Sequence, residues 1–486
     1  MMSNISLGRP WIQRILLFGV VVILAALFMF YSPEWLISEV GTPFLLAGAS
    51  LLLLLLAASA DCCTDRRRLA LRFTLVVWFF LTISEEFFVR ADQEEVAPDH
   101  FSMTVFGEIG TWVLCAAVVL IIVLERSDCL SHLFSKSSKW VVAFGGVCIL
   151  SVSYSPRRVF SAAWSFKLLL VILLIHIASR LMRKYEDVTA FLATTLLAFS
   201  VAMFHGALAD PSTLYVNGRL GYSPTSLAVT AGIVLVLSLA IRTLTNAGWP
   251  LFLTVASALI MLLSGGKAGI AGGLLSAVLY FLFKKKLGSA VAVFGALALL
   301  GVGLLFLSPS LHSYASMYSD TEQAENLTGR TDLWDAAVPL IMQRPIQGHG
   351  YMASRYISLG VEDVGWQAGH LHNAFLDVLY NNGLIGLMLI LYLHFAIIRN
   401  FLRTMRQKSN SPASREISAA GLAVYANLLI NAFFNAIIGG RPGSLFMLFL
   451  GIYMVSEKIS SRHDLVTPSK IGPLPDPACP ATVPAG

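Results

Sequence analysis

The sequence is dominated by apolar runs close to twenty residues long, one of them built around Leu51 to Leu56. About 20 such residues in a helix cross the hydrocarbon of a bilayer, and lipid satisfies no backbone polar group, so only structures that close their own hydrogen bonds survive there. Fourteen candidate spans recur through the 486 residues, near 15–31, 40–60, 69–84, 106–124, 140–155, 159–179, 187–205, 223–241, 249–264, 268–283, 289–307, 376–398, 418–438 and 442–457. Composition agrees: 56% of residues are hydrophobic and 13% charged, against about 25% charged in a soluble domain, and mean hydropathy is +0.73. The expected fold is an all-α polytopic membrane protein of about 14 transmembrane helices, with one large outer loop containing short helices. A soluble enzyme, a secreted disulfide scaffold and a disordered tail protein are excluded.

The net charge of +6 invites a nucleic-acid reading, but most basic residues sit in short loops between apolar runs, which is a topology signal. Arg66, Arg67, Arg68 and Arg72 follow the second run, Lys284 to Lys286 the tenth, and Arg399, Arg403 and Arg406 the twelfth. With Arg9 and Arg14 at the start, 24 of the 34 lysines and arginines fall on one side of an alternating path. Both termini are therefore expected in the cytoplasm, with a retained first helix and no signal peptide. Lys167 lies inside a span nearer its outer end, where it could snorkel or, as intramembrane charges are by default, be functional, and nine cations break the trend on the outer side: Arg90, Arg157, Arg158, Arg219, Lys267, Arg330, Arg344, Arg355 and Arg441. Each needs a local reason, either a loop ion pair or an anionic ligand handled on that face. The six cysteines lie in spans or on the cytoplasmic side, so no disulfide is expected outside.

The chain therefore divides into helices one to eleven over 1–307, a large outer loop over 308–375, helices twelve to fourteen over 376–457, and a disordered cytoplasmic tail over 458–486. Long loops that persist in compact proteins are usually functional, and this one holds His312, His349, His370 and His372, four of ten histidines. Within it, Thr331 to Met342 reads as an amphipathic helix with Leu333, Ala337, Leu340 and Ile341 on one face. Pro345 ends it, and Gly348 and Gly350 make a tight turn in which His349 is a turn residue. Gly348-His-Gly350 lacks a following lysine, so it is no nucleotide loop. His370, His372, Asn373 and Asp377 come at the mouth of the twelfth span. Elsewhere, His176 and His394, with no partner visible in the sequence, are expected to be packing or interfacial residues, and Gly269 and Gly273 to serve close helix contact. The acidic outer stretch Glu85 to Asp99 has irregular spacing and only His100 beside it, so no metal and no cofactor is expected.

The runs Gly329-Arg330-Thr-Asp-Leu-Trp334, Arg344-Pro345-Ile-Gln-Gly348-His-Gly350-Tyr351, His370-Leu-His372-Asn373 and Gly383-Leu-Ile-Gly386 resemble the O-antigen ligase/polymerase superfamily, nearest its exopolysaccharide-polymerase branch. The resemblance is specific over about 325–390, weaker over 205–275, and elsewhere rests on hydropathy. It implies an inverting glycosyltransferase of the bacterial inner membrane that takes glycan from a polyprenyl (undecaprenyl) diphosphate carrier on the periplasmic face. The acceptor would be a glycan, for polymerisation of exopolysaccharide or O-antigen repeat units, or lipid A-core or a protein for a ligase. Membrane lipids, a chain-length regulator and export machinery are further expected partners, and nucleic acid is not. By position, His372 would be the base, and His370 would orient it or contact the acceptor. Arg219 matches the family's outer diphosphate-contacting arginine. Lys267 stands where the family usually has arginine after serine, which keeps the charge and loses the bidentate fork. Arg330 and Arg344 match motif positions and would contact the diphosphate or stabilise the loop helix; Asn382 stands where members often have glutamate. A flippase is the expectation outside the class, disfavoured because the two halves show no repeat.

Overall fold

The computed structural model describes residues 66–87, 103–125, 130, 133–134, 138–208, 220–221, 223–307, 330–356, 370–407 and 411–461. The first two apolar runs, the acidic stretch beyond Phe87, Arg219, His312, most of the large loop and the tail beyond Ser461 lie outside them. Among the described residues every regular element is helical. They are α1 (Arg66–Phe87), α2 (Met103–Glu125), α3 (Lys139–Ser151), α4 (Arg158–Leu181), α5 (Tyr185–Leu208), α6 (Pro224–Thr245), α7 (Pro250–Leu263), α8 (Lys267–Phe283) and α9 (Leu287–Leu307). After these come α10 (Arg330–Gln343), a 3-10 turn (Ala353–Tyr356), α11 (Ala374–Arg406), α12 (Pro412–Ala432) and α13 (Ser444–Ser460). By length and apolarity α4, α5, α6 and α11 can each cross a bilayer. These are the helices of a multi-pass membrane protein.

The packing of α6, α8 and α12 is set by residues without side chains. A Cβ on Gly269 would lie 2.4 Å from that of Ala228, and one on Gly273 3.2 Å from the Cα of Gly232. Such small-residue contacts let backbones approach where lipid removes the hydrophobic drive for helix association. The space freed at Gly272 is filled by two buried amides, Asn427 and Asn431 of α12. Asn427 donates to the Val229 carbonyl at 3.1 Å, and Asn431 donates to Asn427. At the opposite end of the same helices, Lys284 pairs with Glu416 at 2.8 Å and the Tyr280 hydroxyl donates to the same carboxylate.

The twelfth apolar run is where the structure departs most from the sequence reading. Residues 376–398 do not form one straight span, because α11 breaks at Gly383, whose φ is +63° and ψ −166°. The Phe375 and His394 rings are 5.5 Å apart, whereas nineteen residues of straight helix would separate them by about 28 Å. A Cβ on Gly439 would touch both Val378 and Ile390, and one on Gly386 would touch Asn382. The pairs 375/394, 378/390 and 382/386 define an antiparallel hairpin. A first leg, 374–382, folds back along a second leg, 384–406. Only the second leg, about 34 Å long, has the length of a span. Leu384, Met388, Leu391 and Phe395 form an exposed apolar stripe along it.

The break would strand four backbone groups, and the turn after α10 takes them up. In an unbroken helix the carbonyls of Tyr380 and Asn381 would accept from Leu384 and Ile385. Here they accept from His349 and Gly350 at 2.9 and 2.8 Å, while the Leu384 and Ile385 amides donate to Pro345 and Ile346 at 2.8 and 3.3 Å. Close approach requires glycine on both sides: a Cβ on Gly348 would lie 2.5 Å from the Asn381 oxygen, and one on Gly383 2.2 Å from the Ile346 oxygen. Gly383→Ala combines that collision with a left-handed backbone. It is expected to cost about 1–3 kcal/mol, read as a lowered thermal midpoint and reduced folded yield in detergent.

Candidate functional site

The folded-back leg begins with the histidine turn. Asn373 caps it, its side-chain oxygen accepting from the Phe375 and Leu376 amides at 3.0 and 3.1 Å while its amide donates to the Phe433 carbonyl at 3.3 Å. His372 has a φ of +49°, a left-handed conformation uncommon outside glycine. Its amide donates to Nδ1 of His370 at 3.2 Å, and the rings stand edge to face with centroids 4.0 Å apart. Since Nδ1 of His370 accepts, its neutral ring carries the proton on Nε2. Between them Leu371 is buried, its carbonyl accepting from the Trp334 indole at 2.9 Å. The amphipathic helix expected over 331–342 is α10, with Leu333, Ala337 and Ile341 buried. It is thereby tied directly to the histidine turn.

Electrostatics keep both imidazoles neutral. Burial lowers His370 to about 4, helped by the positive charges of Arg355 and then Arg330. His372 is lowered further, to about 2, by burial, His370 and Arg330. Arg330 opens α10 over the Phe434 ring, 5.8 Å from its centroid, and burial lowers its own pKa. Arg344 is exposed just past α10, close enough for its charge to act on Tyr154. Its carbonyl accepts from Gly348 in the turn that meets Gly383. Beside the histidine turn, Trp334, Asn373, Ile430, Phe433 and Phe434 line a cleft of about 380 Å³.

Lys267 is the exposed first residue of α8, capped by Gly266 after a turn in which Gly265 has a φ of +67°. The Leu220 amide donates to the Leu263 carbonyl at 3.0 Å, and a Cβ on Gly266 would lie 2.7 Å from the Pro224 oxygen. The segment following Arg219 thus abuts the Lys267 turn, and the N-termini of α6 and α8 lie side by side. Adjacent helix N-termini with a cation beside them favour an anion. The end of α12 spans the gap to the histidines: Asn431 packs on Gly272, and Phe433 receives the Asn373 amide. Lys267, Arg330, Arg344, Arg355 and the histidine pair therefore share one end of the bundle, with Lys267 on the far side of α12 from His372.

The structure refines several expectations. His176 and His394 are buried packing residues that also have a polar partner: Ser138 lies 2.7 Å from Nδ1 of His176, and Tyr425 2.9 Å from Nδ1 of His394. Lys167 does not snorkel but is buried against the rings of Trp112 and Trp164, at 4.0 and 4.5 Å. His349 is a turn residue as expected, stacked on Tyr380 at 4.4 Å. Sequence reasoning gave no site role to Trp334, Ser354 or Asn381, and named Arg355 only as one of the outer cations. Trp334 stood within a quoted motif, and Asn381 is one helical turn from Asp377, which were the available signals.

A multi-pass helical bundle thus gathers a neutral histidine pair and guanidinium groups at one end. Residues 251–391, which include α8, α10 and the histidine turn, match the O-Antigen ligase family. The chain is also similar to the Exopolysaccharide production protein ExoQ of Rhizobium meliloti (strain 1021), 24% identical over 202 residues, or 40% of this chain and 44% of that protein. It thus spans less than half the length of that relative. The resemblance to the O-antigen ligase/polymerase superfamily read from the motifs is supported by both.

Three outcomes test this site. Labelled-histidine NMR of the protein in detergent should show the His370 and His372 imidazoles neutral down to about pH 5. Because a lowered histidine pKa means that the unfolded chain binds more protons, their contribution should reduce stability as pH falls from about 6.5 toward 4. Asn373→Ala should cost about 1 kcal/mol through the lost cap, read as a lowered melting midpoint.

Proposed function

We propose that this protein is an inverting glycosyltransferase that moves glycan from a polyprenyl diphosphate to a sugar hydroxyl at the periplasmic face of the inner membrane, polymerising repeat units. The observation that carries the reading is the His370–Asn373 turn, neutral and flanked by Arg330 and Arg355. In this reading the large loop, 308–375, faces the periplasm and both termini the cytoplasm.

His372 accepts the acceptor hydroxyl's proton as that oxygen attacks the anomeric carbon. The bond to the diphosphate oxygen breaks on the opposite face, its electron pair leaving on the diphosphate, which inverts the centre. Arg219, Lys267, Arg330 and Arg344 are the cations proposed to hold that charge, fixed donors being worth roughly 3–4 kcal/mol each. His370, protonated at Nε2, donates to the acceptor. A base held near pKa 2 is weak, and Arg330 is one of the groups that holds it there. A diphosphate beside Arg330 offsets that charge, so donor binding raises the basicity of His372 when it is needed.

The cleft suits the carrier's hydrocarbon. Its polar groups are already committed, the Trp334 indole to Leu371 and the Asn373 amide to Phe375, Leu376 and Phe433. That leaves aromatic and aliphatic faces for isoprene units beside Arg330. A second reading, transfer to lipid A-core, is favoured by the description of the matching family as a ligase, while the similar ExoQ protein is named for exopolysaccharide production.

In proteoliposomes given a polyprenyl-diphosphate repeat unit alone, the wild type should build a ladder of longer glycans. His372→Ala should lower the rate by about 100-fold or more. Transfer only after addition of lipid A-core would establish the ligase instead. Wild-type turnover by His372→Ala would remove the base assignment, and no transfer to any acceptor would remove the glycosyltransferase reading.

A further inference from the structure

Below the histidine turn, in the folded-back leg, lies a carboxylate that the proposed chemistry leaves unused. Asp377 is 2% exposed. Its Oδ1 is 3.5 Å from the Leu371 amide nitrogen, a long contact, and its Oδ2 accepts from the Asn381 amide at 3.2 Å. Asn381 also donates to the Ser354 hydroxyl at 3.0 Å and accepts from the Ser354 amide at 2.8 Å. The Ser354 hydroxyl, so engaged as acceptor, turns its proton to Asp377. The far side is closed by the Gly439–Gly440 loop, since a Cβ on Gly440 would lie 2.9 Å from Oδ2 of Asp377. Arg355, next to Ser354, and Tyr351 are the other ionisable groups that sense this carboxylate.

This ring of three side chains is satisfied internally, and a buried carboxylate is costly unless its partners are well placed. Its one link toward the site is the Leu371 amide. Leu371 is therefore addressed from both sides, its N–H toward Asp377 and its carbonyl by Trp334. Its two peptide groups are the links to His370 and His372, so their placement fixes where both imidazoles stand. His372 sits in a left-handed conformation, uncommon for residues other than glycine even though histidine is among the side chains that adopt it most, and the contacts on Leu371 hold the turn there.

We propose that Asp377 is a positioning residue for the transfer reaction, holding the Leu371 peptide so that His372 stands at the acceptor hydroxyl. The inference rests on the reading of His372 as the base. Asn381 and Ser354 act with it, as the partners that orient the carboxylate. None of the three touches substrate in this arrangement.

The pattern of donors and acceptors supplies a decisive variant, the exchange Asp377→Asn with Asn381→Asp. The side-chain amide then at position 377 would keep an oxygen for the Leu371 amide and donate its NH₂ to the carboxylate then at position 381. That carboxylate would accept from the Ser354 amide and hydroxyl, so the Leu371, 377–381 and Ser354–381 links are kept, the Ser354 hydroxyl turns from 377 to 381, and the charge moves one helical turn. In full-length protein reconstituted with a polyprenyl-diphosphate repeat unit, Asp377→Ala should lower kcat by about 10- to 100-fold and leave the donor KM within about twofold, because ground-state binding is untouched. The exchange variant should recover kcat to within about threefold of wild type, and Asp377→Asn alone should fall between. A dead exchange variant that still folds would mean that the charge at 377 acts directly, and a fully active Asp377→Ala would mean that it does not position the turn; either overturns the proposal. The imidazole resonances of His370 and His372 give a readout that needs no turnover. They should move in Asp377→Ala and return in the exchange variant, and unmoved resonances in Asp377→Ala would overturn the positioning role whether or not the glycosyltransferase reading stands.

Discussion

The demand that every backbone N–H and C=O find a partner where water is scarce shapes the site end of this protein. A helix broken at Gly383 exposes two carbonyls and two amides, each costing about 1–3 kcal/mol if left unmade in a buried setting. The turn between Arg344 and Gly350 supplies four groups of the opposite kind at 2.8 to 3.3 Å. That exchange lets the chain reverse at Gly383. The reversal carries the histidine turn back beside the bundle, where it meets α10, the end of α12 and the Gly439–Gly440 loop. Broken helices in membranes occur where the freed backbone is buried in protein or lines a cavity, and both conditions hold around 374–383.

Neutral histidines and nearby guanidiniums have one cause, burial with partial compensation. The imidazoles lose solvation, and the positive charges of Arg330 and Arg355 make protonation costlier still. The site is thus poised for an anion, whose arrival relieves Arg330 and His372 together. The N-termini of α6 and α8, with Lys267 beside them, add a second electropositive patch across α12. In the proposed reaction the diphosphate-linked glycan would meet these charges, and its carrier the aromatic cleft by Phe434.

Much of this was legible because apolar length and periodicity are strong signals. The helices that the structure describes lie within a few residues of the apolar runs, and α10 follows from the spacing of Leu333, Ala337 and Ile341. The histidine pair, Arg330 and the paired glycines could be picked out as motifs. The reversal could not. Residues 374–406 are continuously apolar enough for one span, and a glycine inside such a run is as compatible with close packing as with a break. Gly383 breaks because Ile346 and Gly348 approach it, a contact over thirty residues away in sequence. For the same reason Asp377 read as a residue at the mouth of a span, when its partners, Ser354 and the Leu371 amide, arrive only once the leg folds back. Partners for His176 and His394 come from neighbouring helices, which a linear reading does not see.

The most direct test of the folded-back leg is a disulfide between Val378→Cys and Ile390→Cys in the full-length protein in membranes. The hairpin sets both side chains against Gly439, so mild oxidation should join them rapidly and close a small loop detectable by mass. In a straight helix the two would stand about 18 Å apart. Free thiols at both positions, each labelled by maleimide with no bridge formed after oxidation, would contradict the reversal and with it the placement of His372.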